Sequence, residues 1–246
     1  MNICIIGNSH VGSLKRAWDN IKDLFPKINI TFFAQRANGL NDLIIKKNIL
    51  LPNNDTLASA FKFTSNGSRE INTANYDYFV IYGADAKAYI EPTNFFYSED
   101  VLLATIKDLI SGTLSYKLLK QLRTITHKKI FIGHTPLPSE RKIISTGIPK
   151  SYIKGIKKIN DTIYSSLNSR VIIQPIQTII NNNATHPDFC KGSKRLAIGD
   201  HIDNEVHIKE DVLHMNDLFG ELWLKELFKT IKKEKLKFTL FDIFQH

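Results

Sequence analysis

Cysteines, long apolar runs and a targeting signal are scarce or missing in this sequence. The 246 residues contain two cysteines, Cys4 and Cys190, too few for a disulfide framework although they leave a single bridge open. No run of about 18 apolar residues occurs, so we expect no membrane span. The first residues lack the basic and apolar regions of a signal peptide. These absences together predict a cytoplasmic protein.

Acidic residues are also few relative to basic ones. The chain has 33 Lys and Arg against 24 Asp and Glu, which gives a net charge of +9. Such a charge suits an anionic partner, for example nucleic acid or an acidic polysaccharide. The lysines are scattered, however, and neither a basic stripe interleaved with aromatic residues nor a nucleic-acid-binding motif occurs. We therefore predict no nucleic-acid partner.

The hydrophobic content and its pattern indicate the fold class. Hydrophobic residues make up 43% of the sequence, enough for one core, so we predict a single domain over residues 1–246. Apolar runs alternate with stretches of helical periodicity. The predicted strands are residues 3–6, 29–34, 76–82, 129–132 and 170–173. Because such strands are joined by crossovers, we predict an α/β fold with a mostly parallel five-stranded sheet and helices on both faces.

Two stretches do not follow this alternation. Residues 57–64 alternate in polarity and precede a Ser-Asn-Gly-Ser turn, which predicts a hairpin insertion over residues 57–72. Residues 175–215 show no regular pattern, and a stretch of that length is usually functional or contains short elements. A final amphipathic helix then begins, with Asn216 or Asp217 as its cap.

The turn after the first strand is the first candidate site. Gly7 ends the apolar run and helical spacing follows, so Ser9 lies at the carboxyl edge of the predicted sheet, beside a helix N-terminus. Open α/β folds bind their ligands at this edge. Ser9 is therefore a helix N-cap, part of a nucleotide-binding glycine pattern, or a nucleophile.

The nucleotide-binding alternative is incomplete. Gly7 and Gly12 hold the first and last positions of the G-x-G-x-x-G pattern, but Ser9 replaces the middle glycine that lets the backbone approach a pyrophosphate. Gln35 and Arg36 follow the second strand and offer no acidic ribose ligand, although Arg36 suits a 2′-phosphate.

Asp211 and His214 form the second candidate site. They stand three residues apart before the final helix, and in a doubly wound sheet this loop lies at the same edge as Ser9. His214 would take the proton of Ser9, and Asp211 would fix the imidazole tautomer and stabilise its protonated form. Each residue alone is an ordinary polar loop residue, but the three together match a nucleophile–base–carboxylate triad.

The string Gly-Asn-Ser-His at residues 7–10, with Asp211 and His214 before the last helix, resembles the SGNH (GDSL-like) hydrolase superfamily. The resemblance covers nearly the whole chain in element order. It implies a flavodoxin-like three-layer α/β/α sandwich, acyl-ester chemistry, and a triad with Ser9 as nucleophile. Gly39 matches the glycine of the family's second block, whose backbone N–H forms the oxyanion hole together with that of the serine.

The third block of the family is altered in this chain. The family has Gly-x-Asn-Asp after the third strand, whereas residues 83–86 read Gly-Ala-Asp-Ala, so Asp85 occupies the Asn position. An amide donates a hydrogen bond to an oxyanion, whereas an ionised carboxylate repels it. Losing one such donor costs about 10²–10³ in turnover. The missing hydrogen bond to the oxyanion could instead come from a protonated Asp85, from Asn38 or from Lys87.

The other histidines and the second cysteine are weaker candidates. His186, Cys190, His201 and His207 fall in the irregular stretch, but their spacing matches no zinc pattern, so we predict no metal and no cofactor. His134 follows the fourth strand, where it is either a substrate contact or a surface loop residue.

These patterns predict a serine esterase or acyltransferase that acts on acyl esters through Ser9, His214 and Asp211. The resemblance is closest to versions associated with bacterial surface polysaccharides, which implies O-acetyl sugars as substrates. The alternative is a catalytically weak or inactive protein of this fold that binds carbohydrate at the same edge. Hydrolysis against transfer, and the oligomeric state, stay open at this point.

Overall fold

A parallel sheet forms the centre of the molecule. The computed structural model describes residues 1–92 and 96–243, with side chains described as far as residue 236. The five strands are β1 (Asn2–Gly7), β2 (Asn29–Ala34), β3 (Tyr78–Tyr82), β4 (Ile130–Gly133) and β5 (Ser169–Ile172). Their order is β2-β1-β3-β4-β5, and all neighbours pair in parallel. The predicted sheet is confirmed, and its strand order is that of flavodoxin-like folds.

Helices cover both faces of this sheet. They are α1 (Val11–Ile21), α2 (Asp55–Thr64), α3 (Glu99–Ser111), α4 (Leu114–Arg123), α5 (Lys150–Ile159) and α6 (Asp217–Ile243). Apolar residues of α1 and α6 share one core cluster, and those of α2, α3, α4 and α5 share the other. The molecule is therefore a three-layer α/β/α sandwich, as the sequence predicted.

Strand β1 shows why the two layers form. Ile3 and Ile5 belong to the cluster under α1 and α6, whereas Cys4 and Ile6 belong to the opposite cluster. Successive side chains of a strand point to opposite faces, so a fully apolar strand feeds both cores. All four residues are completely buried, which fixes β1 in the middle of the sheet.

The predicted hairpin insertion over residues 57–72 is wrong. Residues 55–64 form helix α2, and the Asn54 side chain caps it by accepting a hydrogen bond from the Leu57 N–H at 2.8 Å. The buried positions have helical spacing and are Leu57, Ala60, Phe61 and Thr64. A small antiparallel sheet does exist nearby, but it pairs Leu43–Lys46 with Ile49–Pro52 and adds only Ile71–Asn72 from the expected segment.

The irregular stretch over residues 175–215 contains short elements, as expected for its length. Two short strands, Ile179–Ile180 and Ala184–Thr185, pair with each other, and Lys194 and Val206 form an isolated antiparallel bridge. The final helix begins at Asp217, and the Asn216 side chain accepts a hydrogen bond from Phe219 N–H at 3.2 Å. Among the described residues, no helix is both long and apolar enough to cross a membrane.

Candidate active site

Ser9 lies in the tight turn between β1 and α1. The residue before α1 is His10, and it makes no side-chain capping hydrogen bond. The Ser9 hydroxyl does not cap the helix either, because its Oγ lies 2.9 Å from Nε2 of His214. The two groups are 205 residues apart in the chain. The N-cap interpretation of Ser9 is therefore wrong, and its hydroxyl faces an imidazole.

His214 and Asp211 lie in the loop that leads into α6. The Asp211 carboxylate accepts hydrogen bonds from His214 Nδ1 at 2.8 Å and from the backbone N–H groups of His214 and Leu213 at 2.9 and 2.8 Å. Burial alone would raise the pKa of Asp211, but these hydrogen bonds outweigh it and lower the pKa to about 2. Asp211 is therefore ionised at neutral pH.

This chain of hydrogen bonds determines the tautomer of His214. Because the Asp211 carboxylate only accepts, Nδ1 of His214 must carry a proton, and Nε2 of the neutral ring must accept. The acceptor nitrogen then faces the Ser9 hydroxyl at 2.9 Å. Such an arrangement can remove the serine proton as the oxygen attacks a carbonyl and return it to a leaving group.

Cys190 contacts the backbone of the loop that carries Asp211 and His214. Its thiol donates to the backbone carbonyls of Asp211 and His214, with Sγ–O distances of 2.9 and 3.0 Å. Burial, followed by the charge of Asp211, raises the pKa of Cys190 to about 11. The thiol therefore stays protonated and keeps its donor, which holds the two backbone carbonyls that flank the loop.

The ring of His214 is stacked between two other imidazoles. His10 lies on one side with ring centroids 4.9 Å apart and planes at 26°, and His207 lies at 4.1 Å with planes at 13°. Burial and the neighbouring His214 lower the pKa of His10 to about 3 and that of His207 to about 4. Both flanking rings are therefore neutral at pH 7 and present uncharged faces to His214.

His207, Asp211 and His214 also bring three possible metal-ligating atoms within 4.8 Å of one another, the one such group within residues 1–92 and 96–243. The rings of His207 and His214 are nearly parallel, so their in-plane lone pairs do not converge on one point. Both nitrogens of His214 are already hydrogen-bonded. The geometry fits a hydrogen-bonded triad better than a metal centre. His186, Cys190 and His201 lie outside this group.

Two backbone N–H groups near Ser9 are available to a developing oxyanion. Within the described part of the chain, the N–H groups of Ser9 and Ala37 have no hydrogen-bond partner. The N–H of Gly39, the predicted donor, instead donates to the Arg36 carbonyl at 3.3 Å. Gly39 does not line the pocket that contains Ser9, whereas Ala37 does. Ala37, rather than Gly39, therefore shares a pocket with Ser9 and has a backbone N–H without a partner in the described part of the chain.

Asp85 lies in the turn after β3. Gly83 accepts a hydrogen bond from Ala86 N–H at 2.8 Å, and the two central residues, Ala84 and Asp85, have φ angles of 49° and 58°. The Asp85 side chain is 56% exposed and forms an ion pair with Lys87 at 2.5 Å. The carboxylate in the family's Asn position is therefore turned to a lysine and to solvent.

Two depressions lie at this edge of the sheet, and one of them contains Ser9. The nucleophile pocket has a volume of about 400 Å³ and contains, besides the triad, Arg36, Ala37, Arg195, Leu196, His207 and Ile208. The polar cleft has a volume of about 660 Å³, and its polar lining includes Asn8, Asn38, Asn41, Asp85, Lys87 and Lys117. Ala37 lines both of them. Arg195, Leu196 and Ile208 could not be predicted as site residues, because they lie in a stretch without periodicity.

His134 and Arg36 have structural partners. His134 is buried, and its ring nitrogens lie 2.6 Å from the Thr135 carbonyl and 2.7 Å from the Tyr152 hydroxyl, so it is neither a surface residue nor a free substrate contact. The Arg36 guanidinium binds the Leu196 carbonyl and the carboxylates of Asp200 and Asp203. The two carboxylates therefore already pair with the guanidinium that would have to bind the 2′-phosphate of a dinucleotide.

Neither a scan against models of protein families nor a search of curated proteins gives a match to this chain.

Proposed function

We propose that this protein is a serine esterase or acyltransferase that acts on acyl esters, with SGNH-type chemistry. The observation that carries the proposal is the continuous hydrogen-bonded chain from Ser9 through His214 to Asp211. Ser9 comes from one end of the sequence, and Asp211 and His214 come from the other. A hydroxyl beside the accepting nitrogen of an imidazole that an ionised carboxylate orients is the arrangement that activates a serine for nucleophilic attack.

The proposed reaction passes through an acyl-enzyme. Ser9 Oγ attacks the ester carbonyl while His214 Nε2 takes its proton, and the backbone N–H groups of Ser9 and Ala37 stabilise the oxyanion. The protonated His214 then gives that proton to the departing alkoxide, which leaves as the alcohol. Water or a sugar hydroxyl, deprotonated by His214, attacks the acyl-enzyme and releases Ser9. The acyl group proposed is O-acetyl, as the resemblance to polysaccharide-associated proteins implies, and the nucleophile pocket of about 400 Å³ also has room for longer acyl chains.

One observation favours a second function, that of a carbohydrate-binding protein with weak or no catalysis. Asp85 places a carboxylate, rather than an amide donor, in the polar cleft beside the triad. A cleft lined by amides and ionic side chains also suits the hydroxyl groups of a sugar. The cytoplasmic location and the absence of a nucleic-acid partner stay predictions from the sequence.

Hydrolysis of short esters tests the proposal. The full chain is assayed with 4-nitrophenyl acetate and with an O-acetylated sugar, beside Ser9→Ala and His214→Ala. Ser166→Ala is the control, because its exposed hydroxyl only donates to the Ile163 carbonyl. We expect turnover by wild type and by the control, and loss of turnover by about 10³-fold or more in both triad variants.

Two other outcomes decide between the candidates. A sugar alcohol that raises the release of 4-nitrophenol and becomes acetylated would identify transfer. A folded wild type that turns over neither ester, but binds acetylated sugars equally well after Ser9→Ala, would exclude the esterase and support the binding protein.

A further inference from the structure

The nucleophile pocket has an unequal charge balance. The charged residues that line it are Arg36, Arg195 and Asp211, together with the imidazoles of His207 and His214. Asp211 is already paired with His214. Arg36 is neutralised by Asp200 and Asp203, which do not line the pocket. Of the two arginines that line the pocket, Arg195 is therefore the less closely paired.

Arg195 is only loosely paired. Its nearest carboxylate is that of Glu205, 3.7 Å from Nε, and that carboxylate is itself 54% exposed. Nε of Arg195 is buried and, among the described residues, has no hydrogen-bond partner. A guanidinium has five N–H donors in a planar fork that matches a carboxylate or a phosphate. Arg195 therefore retains donors that the protein does not use.

Backbone hydrogen bonds hold the segment of Arg195 in place in the wall of the pocket. Its N–H donates to the Glu205 carbonyl at 2.8 Å, next to the bridge between Lys194 and Val206. Arg16 of α1 donates to the carbonyls of Lys194 and Arg195, both at 3.2 Å. Because α1 begins two residues after Ser9, the same helix contacts both the turn of the proposed nucleophile and the segment that carries the cation.

We propose that the nucleophile pocket takes an ester that carries an anionic group, a carboxylate or a phosphate, which Arg195 binds. This inference rests on the proposed esterase or acyltransferase function and adds the charge of its substrate. The anionic group lies either on the acyl side or on the alcohol side of the ester, and both sources use the same charge-assisted hydrogen bonds.

Matched ester pairs test the proposal. Phenyl acetate and 3-acetoxybenzoate differ by a carboxylate on the alcohol side, and 4-nitrophenyl hexanoate and the 4-nitrophenyl monoester of adipic acid differ by one on the acyl side. We expect wild type to prefer the charged member of one pair. Arg195→Gln should lower kcat/KM for that ester by about 10- to 100-fold and change the neutral ester by less than threefold. Arg195→Lys should restore part of the preference.

The control variant is Arg170→Gln, which removes an exposed arginine that pairs with Glu234 and should leave both pairs unchanged. The charged preference should also weaken as salt is added. A wild type that prefers the neutral member of both pairs would overturn the proposal, as would an equal loss for charged and neutral esters in Arg195→Gln.

A binding experiment separates failure of the proposed esterase function from failure of the proposed anion site. If wild type cleaves no ester, calorimetric titration compares 3-acetoxybenzoate with phenyl acetate as plain ligands of wild type and of Arg195→Gln. Binding of the anion alone, weakened about tenfold or more in the variant, would keep the anionic site without the reaction. Equal binding of both compounds, or none, would reject the site.

Discussion

Gly220 of α6 lies directly against the backbone carbonyl of Ser13 in α1. A Cβ added at Gly220 would lie 2.6 Å from that carbonyl carbon and 3.1 Å from Cβ of Ala17. The two helices are also joined by the ion pair between Arg16 and Asp217 at 2.7 Å. Since Ser9 precedes α1 and His214 precedes α6, this close approach helps to hold the two halves of the triad together.

Gly220→Ala should therefore destabilise the protein, although alanine is the better helix former by about 1 kcal/mol. Overpacking at such a contact costs about 1–3 kcal/mol, so we expect a lower free energy of unfolding in urea. Gly112→Ala is the control, because its φ of −81° suits alanine and no atom lies within 4 Å of an added Cβ. A Gly220→Ala protein more stable than wild type would contradict the tight packing.

Asp211→Asn tests the tautomer argument. The amide preserves the shape but can donate to Nδ1, which would leave the proton of His214 on Nε2, facing Ser9. The equivalent change in a serine protease lowers kcat by about 10⁴, and we expect a loss of several hundredfold or more in ester hydrolysis, with KM little changed. Asp188→Asn should keep its activity, because within the described residues this carboxylate pairs only with His186, at 3.6 Å. Equal activity of both variants would exclude a role for Asp211 in the proposed reaction.

Asp85→Asn tests the altered third block. The change removes a carboxylate from the polar cleft and restores the amide that the family carries there. We expect kcat for 4-nitrophenyl acetate to rise, by up to about 10²-fold if the amide reaches the oxyanion. Asp85→Ala separates the two effects, because it removes the charge without adding a donor and should give a smaller rise. A fall in kcat in both variants would mean that the carboxylate itself assists the reaction.

The buried imidazoles predict acid sensitivity. The pKa of His10 is about 3 in the folded protein against 6.5 for an ordinary histidine, so the unfolded chain binds the extra proton between these values. The contribution of His10 to the free energy of unfolding is therefore fully present above pH 6.5 and is lost as the pH decreases towards 3. The titratable groups that act on His10 are His214, Asp211 and His207. Burial also lowers the pKa values of His207 and His134, so these two residues add to the same acid sensitivity.

His10→Phe should flatten this acid branch, because phenylalanine keeps a flat ring without a titrating group. One proton changes the slope of the unfolding free energy by about 1.4 kcal/mol per pH unit, which sets the upper limit of the effect. Urea unfolding between pH 3 and 7 measures it, with His127→Gln on the surface as the control. Equal slopes for wild type and His10→Phe would show that His10 titrates normally.

The proximity of Ser9 and His214 could be predicted from the sequence. Both stand at strand-to-helix or loop-to-helix junctions, and in a parallel sheet such junctions share one edge, so a sequence separation of 205 did not prevent the prediction. The same logic could not reach His207 or Arg195. They lie in a loop without periodicity, and its course depends on long-range contacts such as those of Arg16 and Arg36 with its backbone carbonyls.

The prediction for residues 57–72 failed for a local reason. Leu57, Ala60 and Phe61 fit a helix as well as an alternating strand, and short apolar runs do not separate the two. The signal that favours the helix is Asn54 followed by Asp55, a capping residue and an acidic first turn. For Gly39, the sequence indicated the loop that lines the pocket but not the hydrogen bond from its N–H to the Arg36 carbonyl, because that bond depends on the turn made by residues 36–39.

Labelling with a fluorophosphonate, read by intact mass, tests the central claim most directly, because such probes react with an activated serine. We expect one adduct on wild type, none on Ser9→Ala, and labelling slowed by at least about 10²-fold in His214→Ala. Ser166→Ala should label like wild type. No adduct on the folded wild type, or an adduct that survives Ser9→Ala, would contradict the account of Ser9 as a nucleophile activated by His214.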